Sequence, residues 1–443
     1  MRMVFKMKHP LLKIIDFQKS GKAVGIYSAC TANGIVLEAA MERALETNSV
    51  LLIESTSNQV DQYGGYTNMT PKDFINYVTE LSNKTGLPMD KIILGGDHLG
   101  PLTFTKYNED KAMEEAKELV RQYVLAGYTK IHIDTSMKLN DDKIDERLSD
   151  ETIARRGAIL CSECEKAYLE LLKLNPKAIH PIYIVGSEVP IPGGSQSAVE
   201  TEVQVTKVID FKKTVKAFQT AFNNAGLQEA YKYVMAVVVQ PGVEEKDAGC
   251  TEYNREKAKE LMDSISDYPN IIFEGHSTDY QTKVKLRELV EDGVGILKVG
   301  PGLTYAMREG LFALSFVEDE LYANTNKETS NFRSILEEAM LENPKYWQNH
   351  YHGNESELAL KRKYSFSDRS RYYMPSDKVS KAQETMFENL KNGVPLNLLS
   401  QFMPIEYTLV REGKLQNNPL ELVKSRIKYT INEYLYGTQQ QEL

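Results

Sequence analysis

Short apolar, β-branched runs recur along the chain at 23–27, 50–53, 92–94, 131–133, 182–185, 234–239, 271–273 and 296–299. Between them lie stretches with apolar residues at helical spacing. Met113, Ala116, Leu119, Val120 and Val124 form one such face, closed by Gly127 as a C-terminal cap. Continuous apolar strands alternating with helices predict a parallel sheet buried on both faces. Eight such units predict an α/β fold, a TIM (β/α)8 barrel. The competing reading is a doubly wound open sheet, but no strand here runs into G-x-G-x-x-G. Beyond about residue 325 the pattern turns to helical segments with polar loops, which predicts a barrel over 1–325 and a helical C-terminal extension over 326–443.

The strand ends carry the chemistry. Ser28 and Cys30, Glu54, Asp97-His98, Asp134, Glu188, Gln240, Glu274 with His276, and Lys298 each follow an apolar run. In a barrel of this type those positions converge on the C-terminal mouth, where active sites are built. Any one of them could simply cap the next helix. A rim of five acids, two histidines and a lysine would be electrostatically costly without a cation or substrate to organise it.

Within that rim, Gly95-Gly96-Asp97-His98-Leu99-Gly100-Pro101 offers His98 as a neutral imidazole ligand and Asp97 for proton transfer. Glu274 and His276 add a carboxylate and an imidazole two positions apart, with Glu188 as a further carboxylate. The reading is a divalent-metal site with His98, His276 and Glu274 as ligands and Asp97, Glu188 and Glu54 as catalytic groups. The mixed nitrogen and oxygen donors suit zinc first, with manganese, cobalt or nickel as alternatives. His132 lies inside a strand and reads as packing. Lys298 reads as a cation for phosphate or a substrate hydroxyl rather than a Schiff-base amine, with Ser28, Asp134 and Gln240 as further substrate contacts. Gly300-Pro301-Gly302 after it opens a helix whose amides predict a phosphate cradle.

Charge sharpens this picture. Lys and Arg total 53 against 62 Asp and Glu, a formal charge of −9, which argues against a nucleic-acid or anionic-membrane surface. The longest strongly apolar run has six residues, where a membrane span needs about 20. No targeting segment is visible at the N-terminus. The four cysteines are too few for a disulfide framework, and Cys161-x-x-Cys164 lacks the second pair of a zinc ribbon, so a reducing cytoplasm is expected. Against the acidic background one stretch, 361–373, is basic and hydroxyl-rich; Arg369 and Arg371 suit bidentate phosphate recognition, with Tyr372 as a further donor.

Taken together, Tyr27 to Asn33, Glu54 to Val60, Gly95 to Pro101, Val185 to Pro190, Glu274 to Gln281, Lys298 to Pro301 and Arg369 to Tyr373 resemble the Z subunit of tagatose-1,6-bisphosphate aldolase, the GatZ/KbaZ family, over essentially the full length. The resemblance implies work in galactitol and N-acetylgalactosamine breakdown, as a Z-type subunit supporting a zinc-dependent class II Y-type aldolase subunit. It adds Asn58 as a substrate contact, a ketohexose phosphate as ligand and an oligomeric assembly. It also implies an alternative, an autonomous metal-dependent 4-epimerase that converts tagatose 6-phosphate to fructose 6-phosphate by retro-aldol cleavage and re-addition. The Asp97-His98 pair resembles the metal and proton-transfer pair of class II aldolases, whereas the later metal histidines of that group are displaced here. The chain has no P-loop, so a sugar-phosphate kinase reading has no support in its motifs.

Overall fold

A computed structural model describes residues 9–143, 145–187 and 203–443. Its strands are β1 (Ile26–Cys30), β2 (Leu51–Thr56), β3 (Ile92–Leu99), β4 (Lys130–Ile133), β5 (Ile182–Val185), β6 (Val234–Val239), β7 (Glu244–Glu245), β8 (Cys250–Thr251), β9 (Ile272–Gly275) and β10 (Val294–Val299). All but β7 and β8 close into one parallel barrel in the order β1-β10-β9-β6-β5-β4-β3-β2. The remaining two form a small antiparallel ribbon. The α/β barrel read from the apolar runs is therefore the fold.

Strand alternation sorts the side chains into two environments. Tyr27, Ile53, Ile131, Tyr183, Val237, Phe273 and Leu297 belong to the large core between sheet and helices. Ile26, Leu52, Ile93, Ile182, Ile184, Ile272 and Ile296 fill the barrel interior as a separate apolar plug. Two residues further along several strands come Ser28, Glu54, Glu274 and Lys298, which share the plug's parity and so continue the interior toward the mouth. Lys130 and His132 of β4 have that inward parity as well, because Ile131 and Ile133 face the helices. A charged layer thus sits on an apolar floor.

The chain after the eighth barrel strand is helical, and it comes back to the barrel. The helix Pro419–Thr438 packs against the helices Gly34–Thr47, Lys283–Glu291 and Pro301–Tyr322. Gln440 then takes the Tyr27 amide (3.0 Å) and donates to the Val50 carbonyl (2.8 Å), tying the end of the chain to β1 and the start of β2. A second return is the arm Asp368–Tyr373. Phe366 stacks on Tyr280 with ring centroids 4.1 Å apart, and Ser365 donates to Asp247 at 2.7 Å. Cys161 and Cys164 are buried free thiols in the helix Asp150–Leu174, and burial pushes both well above the ordinary thiol range. Among the described residues no helix is long and apolar enough to cross a membrane.

Candidate active site

β3 sets the site. Its glycines pair with β2 as Glu54 with Gly95 and Ser55 with Gly96, so the strand runs on to Leu99. A Cβ at Gly95 would stand 2.7 Å from Glu54 Cγ, and one at Gly100 would stand 1.7 Å from the Asp134 carbonyl oxygen. Both positions need glycine for close packing. The register shifts between Gly96 and Leu99, and His98 adopts φ 49°, a left-handed conformation costly for a non-glycine residue. That kink directs Asp97 and His98 together into the mouth, where both line a cleft with His276 and Lys298.

Beneath the cleft lies a closed ion network. Lys130 Nζ is 2.5 Å from Glu54 Oε1 and 2.7 Å from Glu274 Oε2, with all three side chains fully enclosed. Lys298 Nζ contacts Asp97 Oδ1 and lies 2.9 Å from Glu54 Oε2 and 3.8 Å from Glu274 Oε1. Burial alone would lower the Lys298 ammonium, but Asp97 and Glu54 outweigh it and hold the group well above its ordinary value. A Schiff base needs the free amine, which this setting disfavours, and the groups that face the ammonium are the protein's own carboxylates.

Three imidazoles surround one point. The rings of His98, His132 and His276 have mutual centroid separations of 5.0, 5.1 and 5.2 Å. Each is tied to a carboxylate through one nitrogen: His98 Nδ1 to Asp134 Oδ2 (2.8 Å), His132 Nδ1 to Asp97 Oδ1 (2.8 Å), and His276 Nε2 to Glu274 Oε1 (3.0 Å). Carboxylate-anchored histidines are the usual way a protein presents the other nitrogen to a metal. His132 Nε2 is buried with no hydrogen-bond partner. Burial and the neighbouring Lys298 push His276 down to about 3, so the imidazole is neutral and has a lone pair to give. Asp97, His132, Glu274 and His276 each bring one ligand atom to within 4.8 Å of the others. His132 is therefore not packing, because Lys130, His132 and Asp134 share one face of their strand. His98 lies beside this group rather than in it. The donor set fits a divalent cation: two ammonium groups face the four carboxylates Glu54, Asp97, Asp134 and Glu274, an excess of two negative charges.

The remaining expected contacts separate cleanly. Asn58, Arg371 and Tyr372 line the cleft, together with Tyr66. Arg371 donates to the Asp368 carbonyl (2.9 Å) and the Tyr372 hydroxyl (3.1 Å), and Arg369 to the same hydroxyl (3.2 Å). Among the described residues no carboxylate forms an ion pair with either guanidinium. Burial, with Arg371 beside it, lowers Arg369. Ser28, Glu54 and Asp134 are buried behind the lining. Gln240 serves its own turn, its Oε1 accepting the amides of Gly242 (2.8 Å) and Val243 (2.9 Å). Glu188 lies outside the described residues.

One expectation is reversed. The amides of Gly300 and Gly302, at the start of the helix Pro301–Tyr322, do not face open space. Both donate to Asp279 Oδ1, at 3.0 and 2.7 Å. Burial and nearby Glu245 push Asp279 up to about 7, against the pull of those amides. The phosphate cradle expected there is thus filled by a side chain of the protein, and the free positive charge of the cleft is at Arg371. Parity along β4 could have identified Lys130 and His132. No sequence signal distinguished Asp279 as the group that seats itself on these amides.

The family described as D-tagatose-1,6-bisphosphate aldolase subunit GatZ/KbaZ-like matches residues 11–439. The crystal structure of a probable tagatose 6-phosphate kinase from Sinorhizobium meliloti 1021 is 38% identical and has a TM-score of 0.84, covering 93% of this chain and 100% of that one. A fructose-bisphosphate aldolase from Campylobacter jejuni matches at 16% identity and a TM-score of 0.42, over 92% of this chain and 94% of that one.

Proposed function

Because the chain belongs to the D-tagatose-1,6-bisphosphate aldolase subunit GatZ/KbaZ-like family, we propose that it carries a divalent-metal-dependent site of its own for ketohexose phosphates. The reaction in this reading is C4 epimerisation in the cytoplasm, tagatose 6-phosphate to fructose 6-phosphate. The observation that carries it is the buried set Asp97, His132, Glu274 and His276, with the unpartnered His132 Nε2 among them. A chain that only supported another subunit would have no use for so costly an arrangement.

Of these, His132, Glu274 and His276 would hold the cation, zinc first, which when bound would supply a Lewis acid for negative charge on the C2 and C3 oxygens, leaving Asp97 for proton transfer. The chain does the rest. Arg371 and Tyr372 hold the 6-phosphate, and Lys298 keeps Asp97 ionised beside the reacting carbons. Asp97 takes the C4 hydroxyl proton, the C3–C4 bond breaks with its electron pair on C3, and C4 becomes the aldehyde of a three-carbon phosphate. That aldehyde turns over, C3 adds to its other face, and Asp97 returns the proton to the new C4 oxygen. The barrel 1–325 supplies this chemistry in the proposal, and the extension 326–443 supplies the arginine arm.

A second reading stands on the family description itself, which names a subunit. Here the chain pairs with a Y-type class II aldolase and supports its activity. Metal analysis separates the two. The first reading expects about one divalent ion per chain after dialysis, lost by roughly tenfold in His132→Ala and His276→Ala variants that keep the wild-type circular dichroism. Full metal retention in both variants would remove the site.

A further inference from the structure

Of the two cations lining the cleft, Lys298 is paired with Glu54 and Asp97, which leaves Arg371 as the anchor for an anion. Arg371 and Tyr372 share the lining with Asp279 and Glu245, carboxylates outside that ion network. Asp279 belongs to the segment after β9, and its Oδ1 takes the Gly300 and Gly302 amides. Gly302 allows this closeness, since a Cβ there would stand 3.0 Å from that same oxygen. In barrels of this kind the loops after the seventh and eighth strands are where a substrate phosphate is seated, on amides at a helix N-terminus. Here a carboxylate is already seated.

Resting on the reading above, we propose that Asp279, assisted by Glu245, determines specificity by admitting ketohexose 6-phosphates and rejecting ketohexose 1,6-bisphosphates. The 6-phosphate of either ligand goes to Arg371. With C2 to C4 over the histidine and carboxylate cluster, the C1 end falls to the wall formed by Asp279 and Glu245. A C1 hydroxyl can donate a hydrogen bond to a carboxylate oxygen there. A C1 phosphate cannot, because it carries acceptors only when ionised and brings nearly two negative charges toward two carboxylates. It also finds the amides that would have bound it already taken. Like charges juxtaposed in a partly enclosed site reject a ligand more effectively than missing contacts do.

The test is calorimetric binding at pH 8 of fructose 6-phosphate and fructose 1,6-bisphosphate to the zinc-loaded protein, in wild type and in the Asp279→Asn, Glu245→Gln and Arg371→Gln variants. Wild type is expected to favour the monophosphate by roughly tenfold or more, and Asp279→Asn to shrink that preference by about tenfold, with Glu245→Gln acting in the same direction. Arg371→Gln weakens both ligands alike, because it touches the phosphate they share. Equal or tighter binding of the bisphosphate by wild type overturns the proposal, and so does an unchanged preference in both carboxylate variants. Failure of the underlying reading looks different: a folded wild-type chain that binds neither sugar phosphate, or an Arg371→Gln variant that binds both as wild type does.

Discussion

Lys130→Met removes one of the two ammonium groups in the charged layer while roughly keeping side-chain length. Lys130 Nζ lies 2.5 Å from Glu54 and 2.7 Å from Glu274, and none of the three side chains reaches solvent. At those distances and an effective dielectric of about 20, each contact carries about 6 kcal/mol of gross attraction. Desolvating each ion costs several kcal/mol, so the intact network is worth little on balance. The variant keeps the desolvation of its carboxylates and loses the attraction, at a cost of about 3–5 kcal/mol in unfolding free energy. The sign with pH is fixed. Burial would raise Glu274, but Lys130 and Lys298 outweigh it and hold the carboxyl well below its ordinary range. Its stabilising share is present above the ordinary carboxylate range and is lost as pH falls. The gap between wild type and variant should therefore be full at pH 8 and close under acid, as read by urea denaturation. Lys130→Met with Glu54→Leu should recover part of the loss, since it deletes one carboxylate from a layer left with Lys298 as its single ammonium. A single variant within about 1 kcal/mol of wild type at pH 8 would refute the reasoning, as would a double variant less stable than the single.

Asp279 works in the opposite sense, since its folded value of about 7 lies above the ordinary 3.8. Ionising it in the folded chain costs stability that is absent below the ordinary value and complete above about pH 7, with a ceiling of about 4 kcal/mol. Asp279→Asn should therefore raise the urea midpoint more at pH 8 than at pH 4, and an equal gain at both would contradict this. Gly95→Ala should cost about 1–3 kcal/mol by the same assay, because its Cβ would stand 2.7 Å from the fully buried Glu54 side chain. Phe366→Ala removes a ring stack of about 1 kcal/mol and should expose 364–373 to limited proteolysis while weakening fructose 6-phosphate binding; an arm as resistant as wild type would contradict it.

Alternation and apolar runs made most of the barrel legible. The fifth and sixth strands were delimited as they stand, at 182–185 and 234–239, since polar or glycine-rich sequence bounds each apolar run. β1 begins three residues later than the apolar run, because Gly25 gives its amide to Thr438 at the far end of the chain. β3 runs five residues past Leu94, as its glycines pair where intrinsic propensity is poor. Asp97, His98, Glu274, His276 and Lys298 were legible as strand-end residues. Lys130 and His132 were legible only through the parity of β4, since His132 sits inside the apolar run 131–133, Lys130 just before it, and neither stands at a strand end. Asp279 was hidden for a different reason: its partners, Gly300 and Gly302, are more than twenty residues away in sequence and meet it only through the β9–β10 crossover.

The central claim is that this chain has a working site of its own. The most direct test is interconversion of tagatose 6-phosphate and fructose 6-phosphate by the purified chain with no second subunit present, followed with and without a chelator. The account predicts turnover that the chelator abolishes, that zinc or another divalent ion restores, and that falls by roughly a hundredfold or more in His132→Ala. Absence of turnover by the metal-loaded chain alone, with activity appearing only on addition of a Y-type aldolase subunit, would contradict it.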